Sequence, residues 1–334
     1  MLKVALVGAA HIHTPGFIKR LKERASDVTV THVWDHDDER AKKRAGELGC
    51  PSINTANKIW TDPEIKAVII CSETDRHKKL VLSGATAKKH MFVEKPLGLG
   101  ASDSYAMASA IEQAGVIFQT GYMMRSQPIQ LFIKDQIQQG NFGKVTRVRA
   151  SVCHAGALKG WFDTEWRWMA NPHEAGCGAF GDLGTHGLDQ LLWWMGEVES
   201  ATASINTAIS KYPECDEYGE GVIKFKNGTI GTLAAGWADV ANPVQFEVAG
   251  TEGHATVVNG QLFYQSEKIP GADGKQPWTQ LPAANPGPLD LFLDAILGKA
   301  DLPLVKVREA AAASAVMEAM YKGAKMGRWV VPKA

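Results

Sequence analysis

Asp182, His186 and Asp189 lie four and then three residues apart in the stretch Gly176 to Asp189. There, glycines give way to apolar residues at helical spacing, Leu188, Leu191, Leu192 and Met195. Residues three and four apart share a helix face, so a carboxylate and an imidazole point the same way. Free imidazole titrates at roughly pH 6.5 and can act as a base near neutrality. Taken alone the pattern is weak, because an Asp near a helix start is usually a cap and a His one turn later is usually solvated or a satisfied core group. A second candidate is Lys95, set between Glu94 and Pro96 just after the apolar run His90 to Val93. Proline restricts the backbone of the residue before it, which holds such a lysine in place. A cation can stabilise developing negative charge on an oxygen, and an imidazole can move a proton near neutrality.

The elements that must position these groups follow from hydrophobic periodicity. Short apolar runs, Val4 to Val7, Val28 to Trp34, Ala67 to Cys71, His90 to Val93 and Val116 to Gly121, alternate with segments of helix-forming residues. Those segments are Asp38 to Leu48, His77 to Lys88 and Ser102 to Ala114. The alternation predicts an α/β fold whose first part is a doubly wound parallel sheet covered on both faces. Ligands of such sheets collect at the carboxyl ends of the strands. The first run leaves through Gly8-Ala9-Ala10-His11-Ile12-His13, where a dinucleotide fold carries G-x-G-x-x-G. Gly8 suits the tight turn, Ala10 is small enough for a pyrophosphate to approach, and His13 stands where a small residue would allow close helix packing. Thr14-Pro15 reads as an N-cap and first-turn proline. Asp35 closes the second run, and an acid there accepts both ribose hydroxyls of NAD and repels the extra phosphate of NADP. NAD is therefore the expected cofactor, although Asp35 could instead cap the next helix, as could Asp37 or Asp38. His11 and His13 have no third ligand nearby in sequence, and no metal is expected.

After Arg125 the texture changes. A helix is predicted over Gln127 to Gln139, ended by Gly140-Asn141, and then strands with alternating patterning at Val145 to Val152, Ala201 to Ile209, Gly221 to Phe225, Ile230 to Leu233 and Phe246 to Val248. Asn227-Gly228 signals a type I′ hairpin. This predicts a C-terminal α+β domain built on a large, mostly antiparallel open sheet with helices on one face. The domains are expected at 1–123 and 124–334, with two amphipathic helices, Leu289 to Leu297 and Arg308 to Gly327, packing back at their junction. Pro270 to Pro288 reads as a long loop. Five of the ten tryptophans, Trp161, Trp166, Trp168, Trp193 and Trp194, cluster in this half. Indole faces suit sugar rings, but Trp193 and Trp194 continue the apolar helix and read as core.

Totals bound the function. With 334 residues, two domains of about 150 each are expected. Lys plus Arg and Asp plus Glu are both 36, so the formal charge is zero and offers no field for nucleic acid or an anionic membrane. The five cysteines include no C-x-x-C pair and fit free thiols. The first apolar run is too short for a signal peptide or membrane span, so a cytoplasmic protein is the expectation.

Several of these stretches together resemble the family of glucose-fructose oxidoreductase and inositol dehydrogenase, nicotinamide-dependent enzymes acting on sugars and polyols. The pieces are Ala67 to His77, Glu94-Lys95-Pro96 with Leu97, Gly121 to Arg125, Gly176 to Asp189 and, more weakly, Phe292 to Leu297, Pro303-Leu304-Val305 and Arg328-Trp329-Val330. The sequence departs from the family at Ala10, at His13 and at Glu73-Thr74, which replace a usual Pro-Asn. The resemblance implies an N-terminal Rossmann domain with NAD at Gly8, Ala10, His11, Ile12, Asp35, Ser72, Thr74, His77, Glu94, Lys95 and Tyr122. It implies a reaction centre of Lys95, Asp182 and His186, with Lys95 polarising the hydroxyl, His186 as general acid and base, and Asp182 orienting His186 or binding a neighbouring hydroxyl. His13, Met123, Arg125, His154, Trp161, Trp166 and Arg167 are the substrate candidates, and His173 is another pocket histidine. A homodimer or homotetramer through the free face of the open sheet is implied as well. Two other readings stand beside this one: a glycoside-cleaving enzyme that uses bound NAD transiently, and a non-catalytic NAD-binding sugar sensor.

Overall fold

The computed structural model describes residues 1–333. Five parallel strands, β1 (Leu2–Ala9), β2 (Val28–Trp34), β3 (Ala67–Cys71), β4 (His90–Val93) and β5 (Phe118–Thr120), form a sheet of order β2-β1-β3-β4-β5. Helices α1 (Thr14–Glu23), α2 (Asp38–Leu48), α3 (Asn57–Thr61), α4 (Thr74–Thr86) and α5 (Ala101–Ala114) connect them. Val4, Leu6, Ile69 and Phe92 belong to one apolar layer, and Ala5, Val7, Val68 and Ile70 to the other. Burial on both faces is why these strands read as unbroken apolar runs. The strand order reverses between β1 and β3, so their exits are neighbours. Gly8 has φ +75°, and a Cβ there would stand 2.5 Å from Ser72 Cβ, so this turn requires glycine.

The second sheet is larger. After α6 (Pro128–Gln138) come β6 (Val145–Cys153), α7 (Pro172–Ala175), α8 (Ala179–Met195), β7 (Val198–Asn206), β8 (Tyr218–Phe225), β9 (Ile230–Gly236) and β10 (Val244–Gly250). β11 (Gly253–Val258), β12 (Gln261–Ser266), β13 (Asp273–Pro277), α9 (Pro288–Ile296) and α10 (Val307–Met326) complete the order. The eight strands lie as β13-β12-β11-β10-β6-β9-β8-β7, antiparallel except where β6 runs beside β9. α8 lies on β6, β8 and β9. A Cβ on Gly187 would meet Leu233 at 2.8 Å and Ala150 at 3.1 Å, so glycine lets the helix backbone approach the sheet closely. The opposite face of the sheet is uncovered, with Tyr218, Ile230 and Val244 exposed along it.

Helix α8 starts at Gly178, which has no side chain to cap it. The cap comes from far along the chain. Asp216 accepts the Phe180 N–H at 2.8 Å and the Gly178 N–H at 3.1 Å, and the Tyr321 hydroxyl of α10 donates to it at 2.8 Å. Three donors on one carboxylate satisfy groups that a helix start otherwise leaves open. The C-terminal helices join the two halves. α9 sets Leu289, Phe292 and Leu293 into the core of the first sheet, and Arg24, just past the end of α1, pairs with Asp290 and Asp294. α10 contributes Ala310, Ala311 and Ala313 to the first core and Val316, Met317 and Met320 to the second.

Several expectations need correction. The last strand of the first sheet is Phe118–Thr120, shorter than Val116 to Gly121. Thr14 does not cap α1; His13 occupies the cap position with no side-chain bond, and Thr14 is the first helical residue. Of the three acids that could cap α2, Asp37 does so, accepting the Arg40 N–H. The strand expected to reach Ile209 stops at Asn206, because the N–H groups of Ala208, Ile209 and Lys211 turn to the Glu217 carboxylate. Asn227-Gly228 is not a type I′ turn. Only Gly228 has positive φ there, while the Asn227 amide bonds Thr229 and Met195, making a three-residue loop. The two-residue turn with positive φ at both positions is Asn259-Gly260, between β11 and β12, strands the patterning missed. The supposed loop Pro270 to Pro288 contains β13. All five cysteines are free, and no helix among the described residues is long and apolar enough to cross a membrane.

Replacing Asp216 by alanine leaves the Phe180 N–H and the Tyr321 hydroxyl without their acceptor, and the Gly178 N–H with only the Tyr321 oxygen at 3.2 Å. Its expected cost is about 1–3 kcal/mol, read as a lower unfolding midpoint in denaturant, with a smaller loss for Asp216→Asn.

Candidate active site

The exit of β4 and the first two turns of α8 meet at one point. Lys95, only 2 % exposed, places its Nζ 2.8 Å from Asp182 Oδ1. The second oxygen of Asp182 accepts the indole N–H of Trp237 at 3.2 Å. Burial would raise the Asp182 pKa, but Lys95 outweighs it and holds the carboxyl at about 2. Asp182 is therefore an anion whose contacts go to Lys95 and Trp237. It does not orient His186, one of the two roles considered for it.

His186 is 8 % exposed, and its ring makes no hydrogen bond among the described residues; Nδ1 is buried without a partner. The His13 and Tyr122 rings each lie 6.4 Å from it, centre to centre. Burial first, and then the Lys95 charge, push the His186 pKa well below its ordinary value. The ring is neutral and free to accept a proton. Tyr122 is held by Thr185 Oγ1 at 3.2 Å, and burial pushes its phenol up.

The turn after β1 brings two more imidazoles to the same place. Glu94, fully buried, accepts the Lys95 N–H at 2.9 Å and lies 3.1 Å from His13 Nδ1 and 3.9 Å from His11 Nε2. Burial opposes its ionisation, yet His11, His13 and Lys95 together hold it below the usual carboxylate range. Burial drives the His11 pKa down to about 3 despite Glu94. Folding thus supplies the third group that His11 and His13 lacked in sequence, with ligand atoms within 4.8 Å of one another. The His13 N–H donates to His11 Nδ1 at 3.2 Å. In the neutral ring the proton then sits on Nε2, which leaves no lone pair facing Glu94 for a metal.

The dinucleotide end is built around Asp35. Ala9 and Asp37 donate their N–H groups to it at 2.7 and 2.9 Å, and Arg40 adds Nε at 2.8 Å and Nη2 at 2.7 Å. Arg40 also reaches Glu73 at 2.8 Å, so two carboxylates share one guanidinium. Arg40 was not foreseen, although an Arg five residues after the acid, in the first turn of α2, is a readable signal. The residues fit a dinucleotide. Gly8 leaves no room for a Cβ, and the Thr14 hydroxyl at the start of α1 is buried without a partner. Ser72 packs against Gly8, Thr74 opens α4, and Ile12 lies at the edge of the second core. His77 stands apart from these. Its nitrogens face the Leu97 and Ser72 carbonyls at 3.1 and 3.2 Å, so it ties two strand exits together.

Among the substrate candidates, Arg125 is withdrawn from the site: it grips Asp189 at 2.6 and 2.9 Å and pairs with Glu309. Asp189 is thereby separated in role from Asp182 and His186. Trp161, exposed, lies tilted against His154 with ring centres 4.7 Å apart, and burial lowers the His154 pKa. Arg167 lies over the Tyr212 ring at 4.6 Å, Trp166 is half-buried, and Met123 is exposed. His173 pairs with Glu214 on the surface. Trp168 does more than expected: its indole N–H bonds the Ala10 carbonyl at 3.0 Å, bringing the second half onto the β1 turn. His11, Thr74, Lys95, Trp168, Cys177 and Asp182 enclose a cavity of about 10 Å³, enough for one water.

Two family models match this chain. "Oxidoreductase family, NAD-binding Rossmann fold" covers residues 2–122, and "GFO/IDH/MocA C-terminal domain" covers residues 131–256. The scyllo-inositol 2-dehydrogenase (NAD(+)) of Bacillus subtilis (strain 168) is 30 % identical over 263 residues, 77 % of this chain and 73 % of that protein. The chain belongs to the GFO/IDH/MocA oxidoreductase family. Its first domain is an NAD-binding Rossmann fold, as the sequence implied. The 1,5-anhydro-D-fructose reductase of Ensifer adhaerens is 27 % identical over 76 % of this chain and 74 % of its own. A levoglucosan dehydrogenase structure in complex with NADH and levoglucosan superposes with a TM-score of 0.83 at 22 % identity, covering both chains fully, a likeness of fold.

Acid should weaken this site in a defined direction. His11 has a lower pKa folded than its reference value of 6.5, so the unfolded chain binds the proton first as pH falls. Stability is lost from about pH 6.5 down to about 3, and Asp182 adds a further loss from 3.8 toward 2, where its carboxylate is protonated. Thermal midpoints measured against pH should show the decline, and His11→Gln should flatten it by about 1.4 kcal/mol per pH unit.

Proposed function

We propose that this chain is a dehydrogenase that moves a hydride between NAD and a secondary hydroxyl of a sugar, polyol or sugar derivative. One observation carries the reading: a buried ammonium, held by a carboxylate from the other half of the chain, beside an imidazole with no partner. The names of the relatives, which act on an inositol and an anhydrosugar, support the substrate class. NAD, when bound, accepts or returns the hydride. Lys95 donates a hydrogen bond to the reacting oxygen and favours its alkoxide form. Asp182 holds Lys95 in place through the 2.8 Å contact. His186, neutral and unpartnered, takes the hydroxyl proton in oxidation and returns it in reduction. Trp161, flat and exposed beside His154, offers a face on which a sugar ring can stack.

A scan of NADH formation across inositols, aldoses, anhydrosugars and glycosides tests the activity directly. His186→Ala and Lys95→Ala should each lower turnover by at least about 10²-fold while NAD still binds, measured by calorimetry. Near-native turnover in either variant removes the assignment.

The uncovered face of the eight-stranded sheet supports a homodimer or homotetramer. Light scattering coupled to size exclusion should return a multiple of the 36.2 kDa chain, and a monomer overturns this.

A further inference from the structure

Neither His13 nor Glu94 has a part in the reaction as proposed, yet both are built into the site. Glu94 is fully buried and fixed from several sides. The Lys95 N–H holds Oε2 at 2.9 Å, and Gly121 packs so closely that a Cβ there would stand 2.7 Å from the same oxygen. The other oxygen, Oε1, lies 3.1 Å from His13 Nδ1. An ionised carboxylate only accepts, so Nδ1 of His13 bears the proton and Nε2 keeps its lone pair. His13 is flanked by the His11 ring at 4.6 Å, the Phe17 ring at 6.3 Å and the His186 ring at 6.4 Å, with Lys95 beyond Glu94 and Asp182 beyond His186. Its side chain is 27 % exposed, whereas His11 and His186 are buried. Of the three rings, only His13 links the interior to solvent.

His186 has a difficulty that this arrangement answers. A proton taken from substrate would sit in a buried ring next to the Lys95 charge, and that position disfavours keeping it. His13, by contrast, is open to solvent, and Glu94 occupies its Nδ1 and leaves Nε2 available to receive a proton.

We propose that His13, oriented by Glu94, is the proton exit of the dehydrogenase site. Nε2 of His13 receives, through one intervening water, the proton that His186 has removed from the substrate hydroxyl, and then releases it to bulk solvent. In reduction the same proton runs inward. No electrons change hands at either ring; one N–H bond breaks at His186 as one forms at His13. The inference rests on the dehydrogenase reading. It also accounts for a histidine at a position where the fingerprint calls for a small residue.

Two measurements test it. The first needs no substrate: a long-range 1H–15N spectrum of the histidine-labelled protein, with the His13 signals identified by their loss in His13→Gly. Protonated Nδ1 with bare Nε2 is expected, and the opposite tautomer overturns the proposal. The second is kinetic. His13→Gly should lower kcat by about 10²-fold, and added imidazole should restore it in proportion to its free-base fraction. His13→Gln, which fills the same space, should lose the same activity without rescue. Undiminished kcat in His13→Gly, or a loss that imidazole does not restore, overturns the role. Failure of the dehydrogenase reading looks different, since wild-type protein would then form no NADH with any sugar or polyol.

Discussion

The contact between Lys95 and Asp182 constrains everything around it. Removing an ammonium and a carboxylate from water costs several kcal/mol for each ion, and the attraction between them offsets that cost only with close, well-satisfied geometry. Here the two ions come from different halves of the molecule, 87 residues apart in the chain. Neither half of the molecule can shift by much without leaving a charge buried alone. The ion pair is thus a demand placed on the scaffold, and the scaffold shows how it is met.

Three features fix the carboxylate side. The glycine at 187 seats α8 directly on the sheet, the Asp216 carboxylate and the Tyr321 hydroxyl hold its first turn from outside, and Trp237 occupies the second oxygen of Asp182. On the lysine side, Glu94 holds the Lys95 backbone, and His77 bridges the adjoining strand exits. α10 spans both halves, so the two sides share one support. What remains unpartnered at the centre is the His186 ring, the group to which the proposed reaction assigns the proton.

Much of this was legible in the sequence wherever burial imposed a simple period. Ala67–Cys71 and His90–Val93 run as strands over their apolar stretches, and Asp38–Leu48 is a helix between a capping acid and Gly49. Asp182 and His186 share a helix face and Lys95 follows a strand exit, but it was the family resemblance that grouped the three. The partners that decide their chemistry were not legible. Trp237, Asp216 and Trp168 reach the site across 55, 36 and 158 residues, and nothing local to them marks the destination. Asn-Gly occurs at both 227 and 259, and neighbours outside the turn decide which of the two adopts the I′ form. β11 and β12 escaped notice because their half-buried faces blur the alternation.

The return of α9 to the first sheet has a consequence for how the molecule is made. Phe292 packs against Phe92 at 6.0 Å, and Leu289 and Leu293 lie beside it in the same layer. A ribosome delivers these residues only after the whole second sheet has emerged. Until then one layer of the nucleotide half has an open apolar seam, so the half synthesised first is completed last. A nascent chain stalled shortly before residue 288 would present that seam to chaperones, although every strand of its first sheet is already available to pair.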